Sequence, residues 1–459
     1  MKREEFGSDF KWGVSTAAYQ IEGAHNIDGK GASIWDVFAN TKGKILNNHN
    51  ANTSCNFYNQ YARDITLMYQ LNIPNFRFSI SWSRIIPDGT GMINKLGVDF
   101  YNRVIDLCIE LGIEPWITLY HWDLPFELEK KGGWTNREII YWFSEYVHFC
   151  IKTFGDRVKQ WMILNEPMVF TGAGYFLGIH APGKKGLGNF LAAAHHAALC
   201  QAEGGRIIRS LRNDCRIGTT FSCSHIEPLH STASDAAAAN KVDALLNRMF
   251  IEPLLGLGYP VKDLSLLNRL ETFIKSGDEQ KLVFDMDFIG IQNYTREIVT
   301  YAYFMPLLRA KIINANKRNV ERTLMNWEIY PESLYLILKK YDNYKNIREI
   351  LVTENGAAFS DDVVEDKVFD EKRVKYLQDH ISQVLLARKE GVKVNGYFIW
   401  TLTDNFEWAE GYHPRFGLIH VNFLTNQRII KSSGYWYQQF LQGMHTVQGI
   451  QKGKAESAL

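Results

Sequence analysis

Two carboxyl groups end otherwise apolar stretches of the 459-residue chain. "WMILNEPM", residues 161–168, runs into Asn165 and Glu166, and "ILVTENG", residues 350–356, runs into Glu354 and Asn355. Both runs suit buried strands, where an ionised group is costly without a partner. Other polar residues fall at equivalent places. Arg77 lies in "NFRFSI", His121, Trp122 and Asp123 follow "PWITLY", and Gln292, Asn293 and Tyr294 close "DFIGIQ". Trp400 closes "GYFIW" ahead of Asp404, Asn405, Glu407 and Trp408, while Gln20 and Glu22 follow "KWGVSTAA".

Taken singly, each has an ordinary explanation. A strand-end glutamate is usually solvated or ion-paired, a lone tryptophan is usually core, and a lone histidine is usually a satisfied structural group. Together, two carboxyls without a metal pattern suit cleavage of a glycosidic bond. That reaction needs an acid to protonate the leaving oxygen and a carboxylate to meet an oxocarbenium-like centre. One group must stay protonated while the other stays ionised, so their surroundings must differ. Arg77 and Tyr294 are candidates for holding Glu354 ionised. Glu166, with no evident cationic neighbour, would keep its proton to a higher pH. The chain has no HExxH, no CxxC and no zinc-type Cys/His spacing. His195 and His196 are adjacent on an alanine-rich helix and cannot share a ligand face. Dinucleotide, P-loop and nucleophile-elbow patterns are also missing, so no metal and no cofactor is expected.

The elements that must position these residues alternate. Eight near-continuous apolar runs start at 11, 75, 115, 161, 216, 287, 349 and 396, as expected for strands covered on both faces. Amphipathic helices are expected between them, among them 97–112, 136–155 and 369–391, and Ala236 to Ala239 read as helix. Eight strand–helix repeats predict a (β/α)8 barrel, whose C-terminal strand ends share one mouth. A doubly wound open sheet is the alternative that periodicity leaves open. No linker divides the chain, so a single catalytic domain over 1–459 is expected, with a core of about 6–445 and a poorly ordered tail of about 446–459. The segment 295–327 is long for a βα connection and carries "RAKIINANKR". It reads as a solvated surface loop, and loops of this length also shape substrate entrances.

Lys and Arg total 51 against 50 Asp and Glu, which argues against nucleic-acid or membrane-surface partners and for a neutral small molecule. Aromatic residues make up 13 % of the chain, enough to line a cleft against the apolar faces of sugar rings. Six scattered cysteines, a charged start and the absence of an apolar run of about 20 residues predict a cytoplasmic protein.

Six stretches carry a specific resemblance. "FKWGVSTAAYQIEGA" from 10, "FRFSISWSRIIPDG" from 76, "YHWDLP" from 120, "LNEP" from 164, "TENG" from 353 and "TDNFEWAEGY" from 403 occur in that order across nearly the whole chain. The sequence resembles glycoside hydrolase family 1, the β-glucosidase type. The resemblance implies a (β/α)8 barrel and retaining, metal-free hydrolysis of terminal non-reducing β-D-glucosyl residues, with galactosyl and fucosyl as related substrates. It implies Glu166 as general acid/base and Glu354 as nucleophile, supported by Arg77 and Tyr294. It further implies a sugar site of Gln20, His121, Trp122, Asn165, Tyr294, Trp400, Glu407 and Trp408, with Trp327 beside the aglycone. Within it, Asn165 would contact the 2-hydroxyl, Gln20 and Glu407 the 3-, 4- and 6-hydroxyl side, and Trp400 would lie under the ring.

Two positions depart from the family pattern. Ile163 stands where a threonine is usual, and "QNY" replaces "NYY" at 292–294. The 6-phospho-β-glucosidase branch is the nearest alternative. Glu407 and the lack of a lysine between Trp408 and Arg415 oppose a phosphate. A catalytically inactive sugar-binding protein of this fold would typically lack one carboxyl, whereas both are present. Transglycosylation would depend on water access at the aglycone mouth.

Overall fold

All eight apolar runs become parallel strands: β1 (Lys11–Ser15), β2 (Asn75–Ser79), β3 (Glu114–Tyr120), β4 (Gln160–Asn165), β5 (Arg216–Ser222), β6 (Phe288–Gln292), β7 (Ile350–Asn355) and β8 (Val394–Trp400). They close in chain order, β8 returning to β1 through pairs such as Gly13 with Phe398 and Ser15 with Trp400. Closure rules out the open sheet. The computed structural model describes residues 1–443, so the expected tail of about 446–459 lies outside the described residues.

A helix follows each strand: α1 (Phe57–Gln70), α2 (Lys95–Glu110), α3 (Ile139–Phe154), α4 (Leu187–Leu211), α5 (Ala233–Asp243), α6 (Glu332–Asp342), α7 (Glu371–Lys389) and α8 (Ser432–Leu441). In α3, Ile139, Phe143, Tyr146, Val147, Cys150, Ile151 and Phe154 are buried, a 3.6-residue stripe facing the sheet. The helix begins three residues later than the pattern predicts, because the Asn136 side chain accepts the Glu138 N–H at 3.0 Å and holds a turn there. The alanine run lies in α5, as expected.

The barrel interior is filled by Trp116, Met162, Phe288, Leu351 and Phe398, a cluster separate from the larger core between strands and helices. Glycines make room for it. A Cβ on Gly13 would overlap the Phe398 ring, and one on Gly218 would overlap Phe288. Side chains thus plug the barrel below its mouth.

Two expectations need correction. The first strand stops at Ser15, not Ala18, since the Ala18 N–H donates to Ser79 Oγ at 2.7 Å and the chain turns into the short helix Ala18–Ile21 carrying Gln20. The segment 295–327 is not an unstructured loop. Arg296–Tyr301 pairs with His225–Pro228 and with Ala310–Ile312 in a three-stranded sheet packed on α5. Arg318 pairs with Glu328 at 2.6 Å. His195 and His196 have separate partners: His195 bonds Tyr259 Oη and Asp278 at 2.9 Å each, and His196 bonds the Trp134 carbonyl at 2.9 Å. Among the described residues, no helix is long and apolar enough to cross a membrane.

Gly218→Ala should destabilise the protein by about 1–3 kcal/mol, because the added methyl overpacks the interior against Phe288. Urea unfolding measures this, and an unchanged midpoint would mean that the ring can yield.

Candidate active site

Arg77 projects from β2 to the centre of the barrel mouth and is fully buried. Its guanidinium donates to Glu354 Oε1 on β7 and, at 2.5 Å, to Asn165 Oδ1 on β4. Its Nε faces Met162 Sδ at 3.0 Å. Glu354 accepts two further hydrogen bonds, from Gln292 Nε2 and Tyr294 Oη, both at 2.7 Å. Gln292 Nε2 also donates to Asn165 Oδ1 at 2.7 Å. One hydrogen-bonded network therefore joins the ends of β2, β4, β6 and β7.

Glu166 lies one residue beyond β4. Its N–H donates to the Thr220 carbonyl of β5 at 3.0 Å, and its backbone is left-handed, with φ of 45°. Trp122 and Trp408 share that conformation, with φ of 76° and 48°. Non-glycine residues rarely adopt it, and it persists where surrounding structure fixes the chain.

Three buried carboxyls converge, with unequal neighbours. Burial pushes Glu166 well above the ordinary carboxylate range, and the Glu354 charge adds to this, opposed in part by the Ser222 hydroxyl and Arg77. Burial also raises Glu354, but here the guanidinium in direct contact and the Tyr294 hydroxyl pull it back. Of this pair, Glu166 holds its proton to the higher pH. Glu407 is pushed up to about 8 by burial and then by the Glu354 charge, although Gln20 donates to it at 3.3 Å.

His121 is neutral, since burial and then the Arg77 charge lower its pKa well below the usual value. The Asn165 Oδ1 accepts from Arg77, Gln292 and, at 2.9 Å, Thr220, which fixes the amide's orientation. Its NH2 therefore donates to His121 Nε2 at 2.9 Å, placing the imidazole proton on Nδ1. His121 Nδ1, Gln20 Oε1 and Gln292 Oε1 are buried with no protein partner. Of these three residues, His121 lines the open cavity at the barrel mouth, so its Nδ1–H is available to a ligand hydroxyl.

The cavity above this network is about 230 Å³ and is lined by Glu166, Glu354, Glu407 and Glu410, with no lysine or arginine in its wall. His121, Trp122, Tyr294, Trp327, Trp400 and Trp408 line it too. Rings pack tightly around it: Trp122 and Trp408 centroids are 4.5 Å apart, and those of Tyr294 and Trp327 are 5.1 Å apart. Gln20, Asn165, Gln292 and Arg77 lie directly beneath the lining, bonded to the carboxyls or the histidine that form it. The Trp122 indole N–H is already committed to the Asn165 carbonyl at 2.9 Å, leaving its ring to face the cavity. Ile163 packs outward against Gly204 of α4, so that departure stays away from the cavity.

Sequence reasoning missed Ser222, His180, Val169, Met325, Glu410 and Phe416 in the wall and left Gln292 without a role. Ser222 could have been found, because it ends β5 as the other site residues end their strands. Val169, His180 and Met325 come from connecting segments and carried no such signal.

A closed parallel barrel whose mouth pairs two differently tuned carboxyls, without a cation in the wall, defines a carboxyl-dependent glycoside hydrolase. Residues 2–445 match the model of glycosyl hydrolase family 1, and the chain belongs to that family. It is 42 % identical to "Beta-glucosidase A" of Thermotoga maritima, covering 95 % of this chain and 98 % of that one. It is also 42 % identical to "Beta-glucosidase A" of Acetivibrio thermocellus, over 96 % and 99 % of the two chains. The solved family 1 β-glucosidase from Thermotoga maritima superposes with a TM-score of 0.91 at 41 % identity, covering 95 % and 98 %.

Gln292→Leu removes a donor to the charged form of Glu354 and so should raise that pKa, moving the acid limb of kcat/KM to higher pH. A hydrogen bond to a charged group of this kind predicts a roughly ten- to hundredfold loss of kcat/KM. A pH–rate profile of the variant beside the parent reads both, and an unmoved acid limb would remove Gln292 from the nucleophile's support.

Proposed function

We propose that the protein hydrolyses terminal non-reducing β-D-glucosyl residues with retention, Glu354 acting as nucleophile and Glu166 as general acid/base. The observation that carries this reading is the unequal setting of the two carboxyls: Glu354 on a guanidinium and a phenol, Glu166 buried without a direct cationic partner. In the first step a Glu354 oxygen attacks the anomeric carbon while the bond to the leaving oxygen breaks. Glu166 gives that oxygen its proton. In the second, Glu166 as carboxylate takes a proton from water, the water oxygen attacks the same carbon, and the Glu354 carboxylate leaves. Two inversions give net retention.

The unpartnered His121 Nδ1–H in the cavity wall supports a sugar-binding role. His121 Nδ1–H would donate to a hydroxyl, and Gln20 Oε1 would accept from one beside Glu407. The Trp400 and Trp408 rings would pack on the apolar sugar face, Trp327 would border the aglycone, and Asn165, anchored from below, would meet the 2-hydroxyl. A 6-phosphate is disfavoured, because it would enter a cavity with four carboxyls and no lysine or arginine. Both proposed catalytic carboxyls line the cavity, which favours an enzyme over an inactive binding protein. The Thermotoga maritima enzyme has been solved with glucoimidazole and with galacto-hydroximolactam, which supports a small sugar ligand with some tolerance at C4. Six free, buried cysteines suit a reducing compartment such as the cytoplasm.

Proton NMR of the first sugar released from a β-glucoside should show the β anomer, and an initial α anomer would exclude Glu354 as nucleophile. Glu354→Ala should lose about 10⁴-fold or more in kcat. Glu166→Ala should cost roughly a hundredfold or more on substrates with poor leaving groups and far less on the activated aryl glycoside in the first step, since a good leaving group needs little protonation. Steady-state and burst kinetics on the two substrate types check this. Equal losses on both would remove the acid role.

A further inference from the structure

The near balance of charge over the whole chain hides a one-sided stretch. From Ile298 to Val320 there is no aspartate or glutamate, while Arg309, Lys311, Lys317 and Arg318 all fall within it. Arg318 is paired with Glu328. Arg309, Lys311 and Lys317 are exposed and have no carboxylate partner among the described residues. The apex of this stretch is the hairpin tip between Arg296–Tyr301 and Ala310–Ile312. There Tyr303, Phe304, Met305 and Leu307 are 66 %, 91 %, 48 % and 40 % exposed. The tip turns on its own main-chain bonds. The Ala302 N–H donates to the Arg309 carbonyl at 3.0 Å, and the Arg309 N–H to the Met305 carbonyl at 2.7 Å. The Arg309 guanidinium lies 5.9 Å from the Tyr303 ring centre, and the Tyr303 and Phe304 rings meet edge-on at 5.3 Å.

Two layers result. The outer one is a contiguous apolar apex, the kind of exposed patch that marks a binding surface. The cations stand one step behind it, with Arg309 closing the turn, Lys311 on the returning strand and Lys317 in the short turn Ala315–Lys317. An anionic bilayer offers the complementary order, charged headgroups outside and hydrocarbon beneath. A turn bonded to itself brings few bare main-chain groups into that hydrocarbon. A second copy of the chain would instead bring like charges together along the flank. We propose that this hairpin is a docking tip for anionic lipid surfaces. Tyr303 and Phe304 seat among the upper acyl carbons, while Arg309, Lys311 and Lys317 rest on headgroup phosphates and carboxylates. The tip enters only as far as the boundary between headgroups and acyl chains, so no span is involved.

Sedimentation of the full chain with sucrose-loaded vesicles tests this. One set holds phosphatidylcholine and phosphatidylserine in equal parts, and the other phosphatidylcholine alone. Each cation near an anionic surface contributes roughly fivefold in affinity, so the mixed vesicles should bind at least about tenfold more tightly at low salt. That preference should shrink as salt rises. Tyr303→Ser combined with Phe304→Ser should weaken binding by roughly tenfold or more, because the apolar area that enters the lipid goes with them. Both side chains are exposed and belong to none of the apolar cores, so the thermal unfolding midpoint should not move. Lys311→Gln combined with Lys317→Gln should remove most of the preference for mixed vesicles. Failure to bind the mixed vesicles, or equal binding to both kinds, overturns the proposal. Binding that survives the aromatic variant, or a preference untouched by the lysine variant, overturns it too. So does self-association that the aromatic variant abolishes, seen without any vesicle binding.

Discussion

The Arg77 guanidinium is the constraint around which the barrel mouth is organised. A cation in the closed centre of a barrel carries a desolvation cost of several kcal/mol unless its donors are met. Here they meet Glu354 and Asn165 on strands from two other parts of the barrel. Satisfying the charge therefore fixes the relative heights of β2, β4 and β7, and Gln292 ties β6 to the same point. Positioning of the site and stability of the mouth become one requirement, and either carboxyl-bearing strand can shift only by exposing an unpaired buried charge.

That arrangement also separates the properties of chemically identical side chains. Glu166, Glu354 and Glu407 are all buried, and burial raises each of them. They differ in what they touch. Glu354 has the cation, Glu407 has a neutral amide, and Glu166 has neither in direct contact. An enzyme using two glutamates for opposite tasks needs this kind of inequality, and the fold creates it by placing a single guanidinium off-centre among the three. The neutral His121 belongs to the same scheme, since the Arg77 charge and burial keep it from protonating.

Much of this was legible in the chain. Strands covered on both faces must be apolar throughout, so all eight barrel strands stood out, and the polar residues that end them marked the mouth. The errors fell where the deciding contact is distant. Thr16 to Ala18 read as extended until Ser79 captures an amide and turns the chain. The sheet of Arg296–Tyr301 owes its existence to His225–Pro228, some seventy positions earlier, a pairing that local pattern does not encode. Within the site, residue types were readable but their orientation was not. That Trp122 gives its indole proton to a carbonyl, and that Asn165 Oδ1 is the common acceptor for Arg77, Gln292 and Thr220, depends on how four strands are staggered.

The plug of Trp116, Met162, Phe288, Leu351 and Phe398 has a consequence for traffic. With the barrel axis filled below the carboxyls, a departing alcohol and an incoming water cannot pass along it and share the doorway at the mouth. On the proposed mechanism, the lifetime of a sugar held on Glu354 would depend on how readily water reaches it through the mouth. Any alcohol lingering there stands in the same queue as water, and the division between breaking glycosides and remaking them becomes a question of crowding at the threshold.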